Sequence, residues 1–334
     1  MRLATYNIEW FTKLFDRKNR LDPSGELSGR YTVTKAEQVA ALGDVFQAMD
    51  ADAIMIIEAP DSNGKRQTVP ALESFAAHFD LRTRAAVMGF MNDTQQEIAL
   101  LFDPDVLTAR HVPMPGNVKV PRFDGTLEID LDIDAVRDEV RFSKPPLELE
   151  ITTKSGSQIQ LIGAHLKSKA PHGARNASQA MKLAIANRRK QLAQAIWLRA
   201  RIDQHLTDDT PLIVLGDLND GPGLDEFEDL FGRSSVEIVM QGEAGALYDP
   251  HAMQVPDTAS DTGPTSARFW IEDENRHLLA LLDYIMVSPD LRARAGNWRI
   301  WHPIDDPECQ ANLRLRDALM VASDHFPVSV DMNI

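Results

Sequence analysis

The stretch Leu212–Asp220, LIVLGDLND, reads as a buried strand that runs straight into a polar turn. Its unbroken apolar run from Leu212 to Leu215 suits a strand covered on both faces. Asp217 and Asn219 follow it two positions apart, so alternation aims both side chains the same way. A carboxylate and a carboxamide leaving a strand end together are able to orient a water and hold a phosphate oxygen. Gly, Asp and Asn are also ordinary turn residues, so on this stretch alone the two readings weigh the same.

The same pattern recurs along the chain. Short apolar segments rich in β-branched residues at Leu3–Ile8, Ala53–Ile57, Ile98–Phe102, Ile159–Ala164, Leu281–Val287 and Pro327–Val330 read as further strands. Polar residues follow or close several of them. Asn7 and Glu9 come after the first in TYNIEW. Glu58 ends IMIIEAP in the manner of a carboxylate for a hard cation, His165 ends LIGAHLKSK, and Asp283 lies in LLDYIMVS. In VASDHFPVSV, Asp324 and His325 precede the last apolar run, and a carboxylate beside an imidazole suits metal binding with proton transfer. Each alone is a plausible cap or turn residue. Their repetition at strand ends points to one face on which they converge.

Helical periodicity spans Lys35 to Met49, with Val39, Leu42, Val45, Phe46 and Met49 on one side. A longer helix is expected from near Ser178 to His205, with Met181, Ile185, Leu192, Ile196 and Ile202 inward. No repeat or linker divides the chain, so one domain over residues 1–334 is expected, with surface insertions near 16–30 and 112–142. The acidic run Asp124–Glu139 is read as a solvated part of the second. The single cysteine, Cys309, excludes an intramolecular disulfide. No apolar run approaches the roughly 20 residues of a membrane span, and the N-terminus already looks like a strand, so a cytoplasmic protein is expected. The formal net charge of −15 argues against coating nucleic acid through an overall field, but leaves room for a local basic groove.

The ordered set TYNIEW, IIEAP, QQEIALLF, GAHLKSK, GDLND, LLDYIMVS and SDHFPV resembles the endonuclease/exonuclease/phosphatase superfamily, in its deoxyribonuclease-like branch. The likeness runs from Asn7 to His325. It implies an α+β fold, a four-layer α/β/β/α sandwich of two mostly antiparallel sheets flanked by helices, with the site at one end of the paired sheets. It further implies a hydrolase acting on phosphate esters by in-line attack of an activated water. Asn7, Glu58 and Asp324 would surround a divalent metal, with Glu58 the principal ligand. His325 would be a catalytic imidazole polarised by Asp283. Asp217 and Asn219 would orient the water and the phosphate, or bind a second metal. His165 would be a second imidazole, supported by Glu97. One or two Mg²⁺ or Mn²⁺ ions suit such oxygen ligands, and the absence of clustered Cys or spaced His disfavours zinc.

One basic stretch stands against the acidic whole. From His165 to Arg201 there is no acidic residue, while Lys167, Lys169, Arg175, Lys182, Arg188, Arg189, Lys190, Arg199 and Arg201 fall there. Such a strip would track a polyanion backbone or simply be a solvated helix face. Lys167, Lys169 and Arg188 are the residues expected to bind substrate. A nuclease on DNA or RNA is therefore the first expectation. A phosphatase or phosphodiesterase for a lipid head group or small ester is the second, and a non-catalytic scaffold the third. An open basic groove beside His165 favours the first; a closed pocket favours the second.

Overall fold

Alternation along the central strands sorts the apolar side chains into three buried layers. In Ala53–Pro60, Ala53, Met55 and Ile57 pack between two sheets, whereas Ile54 and Ile56 face a helical layer. In Leu212–Asp217, Ile213 and Leu215 face the same inter-sheet core, while Leu212 and Val214 pack against the opposite helical layer. Helix, sheet, sheet and helix thus stack in the expected sandwich. The computed structural model describes residues 1–63, 65–91, 96–130, 137–171, 173–222, 232–254, 263–271 and 275–334.

The first sheet has six strands in the order Ala295–Ile300, Val328–Met332, Arg2–Asn7, Ala53–Pro60, Gln96–Phe102 and Ala85–Met88. The second has five, in the order Asp283–Val287, Leu212–Asp217, Gln158–His165, Leu147–Thr153 and Leu107–His111. Each is antiparallel except for one parallel pair: Arg2–Asn7 with Ala53–Pro60, and Leu212–Asp217 with Gln158–His165. Gly216, at φ 133°, is required there, because a Cβ would stand 2.1 Å from the carbonyl oxygen of Ala164 in the parallel neighbour.

The helix Lys35–Met49 starts at a capping box in which Thr34 and Glu37 satisfy each other's backbone, and it buries Val39, Leu42, Val45, Phe46 and Met49 as expected. The long helix is Ala177–Thr207. Its buried face is Leu192, Ala195, Leu198 and Ile202, whereas Met181 and Ile196 are exposed, contrary to the inward phase expected for both.

Neither insertion is only surface. In the 112–142 segment Phe123, Leu127, Val140 and Phe142 are buried, with Phe123 and Phe142 packed at 5.9 and 5.1 Å from the Trp197 ring. Within the acidic run Asp124–Glu139 the described acidic residues are exposed and Leu127 is buried; residues 131–136 lie outside the described residues. In the 16–30 segment Arg30 is buried and reaches inward to Glu9. Cys309 is buried, as expected.

Candidate active site

Strand register assembles the core of the site. Asp217 stands opposite His165 across the parallel pair and opposite Asp283 across the antiparallel pair. From the facing sheet, Asn7 at the end of the first strand donates from Nδ2 to Asp217 Oδ2 at 2.9 Å. Asn219, in left-handed backbone at φ 52°, turns back so that its backbone N–H and its Nδ2 donate to Asp217 at 2.7 and 3.1 Å. Burial pushes the Asp217 carboxyl up to about 7, with Asp283 adding to this and His325 opposing it. The strand therefore places a carboxyl group in the range of a neutral-pH base among fixed donors.

The structure brings His325 and Asp283 into contact. Nδ1 of His325 lies 2.7 Å from Asp283 Oδ2, and both residues are buried. Ser266 steadies the carboxylate: its hydroxyl donates to the same oxygen at 2.8 Å while accepting the backbone N–H groups of Leu282 and Asp283. Burial works against a charged imidazole. The charge and hydrogen bond of Asp283, with Asp217 and Asp324 behind it, outweigh burial and hold His325 well above the usual histidine range. Phe269 packs edge-on at 5.4 Å against its ring.

The second imidazole is partnered differently from expectation. His165 Nδ1 lies 3.2 Å from Lys144 Nζ, and its Nε2 lies 3.6 Å from Asp217 Oδ2. Burial, then Lys144, His325 and Lys167, depress its pKa well below the usual value, so it is neutral at pH 7. Because lysine only donates, Nδ1 accepts and the proton sits on Nε2. Glu97 does not support it. Alternation turns Glu97 to the helical side, where it accepts from the backbone N–H of Ser62 at 3.4 Å. Its neighbour Gln96 faces the site instead, donating to Glu58 and accepting from Lys144.

Glu58 owes its position to a β-bulge. Ile57 pairs with Ile98 and Ala59 with Glu97, leaving Glu58 as the extra residue at φ 62°. Burial raises its pKa, Lys144 and His325 counter this, and Asp324 adds to the rise. Glu9, pushed up to about 7 by burial and by Asp324, is bonded to Arg30, which also lies 3.9 Å from Asp324. Asn7 Oδ1 is buried without a hydrogen-bond partner. Carboxylates crowded against one another beside an unpartnered amide oxygen fit a hard divalent cation, as the donor set Asn7, Glu58 and Asp324 implies. Among the described residues the tightest acidic group is Asp217, Asp283 and His325, with ligand atoms within 4.8 Å of one another. Two of its members are spent on each other's hydrogen bond, so this set offers a cation less than the Asn7 side does.

The expected substrate residues divide. Arg188 is fully buried, its Nη1 donating to Asp220 Oδ2 at 2.5 Å and Gln191 Oε1 at 2.6 Å, because its helix position faces the GDLND turn rather than the cleft. Arg199 and Arg201 are likewise bound to backbone carbonyls and to Asp203 and Glu148. Lys167 and Lys169 line the cleft that holds the site, a space of about 1200 Å³ also bordered by Lys144, Asn7, Glu58 and His325. Lys169 donates to Asp220 at 2.9 Å. Replacing Arg188 with Ala should cost roughly 3–5 kcal/mol in denaturant unfolding, because Asp220 is left with a buried charge; an unchanged midpoint would show Asp220 satisfied by Lys169 alone.

Lys144, Gln96, Arg30 and Ser266 belong to this site and escaped the sequence reading. Lys144 alone carries a local signal, a lysine before Pro145-Pro146 at the entry to a strand.

Strand register brings these carboxylates and imidazoles to one end of the paired sheets. The chain matches the endonuclease/exonuclease/phosphatase family model over residues 4–325, and it belongs to that family. At the level of the family it is a phosphoester hydrolase, and family enzymes use divalent metals. Among solved structures it is similar to the human Nocturnin catalytic domain with bound sulfate (16% identity, TM-score 0.47, 99% of this chain and 93% of that one). It is also similar to truncated TDP2 of Caenorhabditis elegans (13%, 0.49, 98% and 96%). A third is the 3′ phosphatase NExo from Neisseria bound to a product DNA hairpin (14%, 0.48, 100% of both). The curated proteins give no match. Among the described residues no helix is long and apolar enough to cross a membrane.

Proposed function

We propose that the protein is a divalent-cation-dependent nuclease that hydrolyses phosphodiester bonds by in-line attack of water. The observation that carries this reading is the cleft itself. It joins the Asp217–His165–Asp283 register and the Asn7–Glu58–Asp324 oxygens to two lysines, Lys167 and Lys169, that continue beyond the chemistry. A bound Mg²⁺ or Mn²⁺ supplies charge neutralisation at the non-bridging phosphate oxygens. Asp217, held by Asn7 and Asn219, orients the attacking water and accepts its proton. Neutral His165 donates from Nε2 to a phosphate oxygen. His325, charged by virtue of Asp283, stabilises the negative charge that develops at phosphorus. Lys144 keeps Glu58 and Gln96 in place and sets the His165 tautomer.

Incubation with plasmid DNA, RNA and a panel of phosphomonoesters, with Mg²⁺ and with excess chelator, tests the reading. Polynucleotide cleavage that the chelator abolishes is expected. Monoester hydrolysis alone, or activity that survives chelation, would overturn it. Lys167→Ala is expected to raise KM for polynucleotide, hold kcat, and reduce the slope of log affinity against log salt by about one. A fall in kcat with KM unchanged would move Lys167 into the chemistry.

The second reading, a phosphodiesterase for an ester with an apolar group, is favoured by one observation: the cleft is also lined by Met181, Phe269, Ile271 and Leu278.

A further inference from the structure

The apolar part of the cleft, a slot, takes its two walls from separate elements. One wall is the start of the helix Ala177–Thr207, where Ala177, Ala180, Met181 and Ala184 recur at the spacing of a single helical face. Ala184 of that stripe is buried, and Met181 is 50% exposed. The other wall is the hairpin Ala267–Ile271 with Arg276–Ala280. Pairing of Phe269 with Leu278 puts these two on one face with Ile271 and Ala280, and this face lines the slot. Arg268, Trp270 and His277 fall on the other face, and of these Trp270 alone borders the cleft. Among the described residues, neither wall presents an amide, a carboxylate or a guanidinium to the slot.

We infer that the slot receives an unpaired base by its two faces, so that the substrate is single-stranded nucleic acid cut without base preference. This inference rests on the nuclease reading and deepens it. Base discrimination needs donors and acceptors that meet base edges, and among the described residues of these walls the Trp270 indole N–H is the one such side-chain group. Stacking and van der Waals contact accept every base, since each has a π-face. A base in a duplex has its partner alongside and its faces covered by its neighbours, so it has no free face to offer. Phe269 fixes the inner end of the slot, with its ring against His325, which sets the base next to the scissile phosphate. A hydrocarbon chain would satisfy the aliphatic residues of these walls, but the aromatic side chains Phe269 and Trp270 on the cleft suit a flat ring. Lys167 is half-buried, and its pKa is lowered by burial and then by Lys190 and Lys144. That cluster of like charge suits several consecutive phosphates.

The experiment compares kcat/KM, with Mg²⁺, for one mixed-sequence strand alone and annealed to its complement, for four homopolymers, and for phosphatidylcholine vesicles. The single strand is expected to be cut at least about 10-fold faster than the duplex, with homopolymers alike within about threefold, the tolerance of stacking. Met181→Glu, which places a charge on an exposed helix position, should lower single-strand cleavage about 10-fold, because a base seated there would have to desolvate the carboxylate. Met181→Leu should restore it and exclude misfolding. Equal cleavage of duplex and strand, strong preference for one homopolymer, or an inert Met181→Glu would each overturn the inference and leave the nuclease reading standing. Cleavage of the vesicles with no polynucleotide cut would overturn both and assign the slot to a hydrocarbon.

Discussion

Asp283→Asn should lower kcat/KM by about 10²- to 10⁴-fold, the scale of a lost acid–base group, and should cost almost nothing further in a His325→Ala background. The reason lies in the 2.7 Å contact between Asp283 Oδ2 and His325 Nδ1 inside a buried setting. Asparagine keeps the shape and loses the charge that outweighs burial of the imidazolium, so His325 should titrate at lower pH in the variant. The sign for stability follows from the raised native pKa. The pair stabilises the fold fully below the ordinary histidine value, and that contribution fades as pH rises through the native one. Asp283→Asn should therefore lose most stability at low and neutral pH, and least at high pH. The decisive measurement is the four-way cycle of wild type, both single variants and the double variant, with a melt for each. Losses that multiply would show that Asp283 acts on something other than His325. Ser266 gives an independent check. Ser266→Ala leaves the charge in place but removes the donor to Asp283, and should reproduce a small part of the loss without shifting the imidazole as far.

The strand ends were legible because strand chemistry is local. An apolar run that stops at Asp217, His165, Glu58 or Asn7 announces both the strand and the polar residue at its tip, and two-residue alternation carries Asn219 with Asp217. The edge strand Leu107–His111 and its neighbour Leu147–Thr153 were not legible, since LTARH and LELEITT alternate polar with apolar and lack the continuous run. The support around the site was hidden for a different reason. Gln96 and Glu97 are adjacent, and only the register with Pro60 and Ala59 decides which side chain faces the cleft. Arg30 meets Glu9 across a long loop, and Arg188 meets Asp220 across 32 positions. Charge along a helix does not tell a buried pair from a substrate contact. Of the basic strip, therefore, only the two lysines nearest His165 kept their expected place on the cleft.

Glu58→Gln should remove divalent-cation binding and activity together while leaving the cation-free protein as stable as wild type or more so. At its bulge, Glu58 combines a positive φ of 62° with a carboxylate whose burial and nearness to Asp324 disfavour the charged form. Both features cost stability, and positions of that kind persist where function requires them. Glutamine keeps the side-chain length and one acceptor oxygen for Gln96 or Lys144, yet removes the charge that offsets cation dehydration. Loss of an outer-shell partner costs about 10- to 100-fold in metal affinity, so loss of the principal ligand should exceed about 100-fold. The same carboxylates fix the pH dependence. Glu9 and Asp217 both stand near 7 against ordinary values of 4.5 and 3.8. Their protonated forms favour the fold, and that stability is lost as pH rises from about 4 to about 7. Without a cation, the wild-type melting temperature should fall across that interval. Saturating Mn²⁺ should restore more at pH 8 than at pH 5.5, by mass action on the folded state. In Glu58→Gln the Mn²⁺ gain should vanish at both pH values, with calorimetric titration confirming the lost site. A Mn²⁺-dependent rise in melting temperature that survives in Glu58→Gln would place the cation elsewhere, with Asp217, Asp283 and His325 the set to replace next.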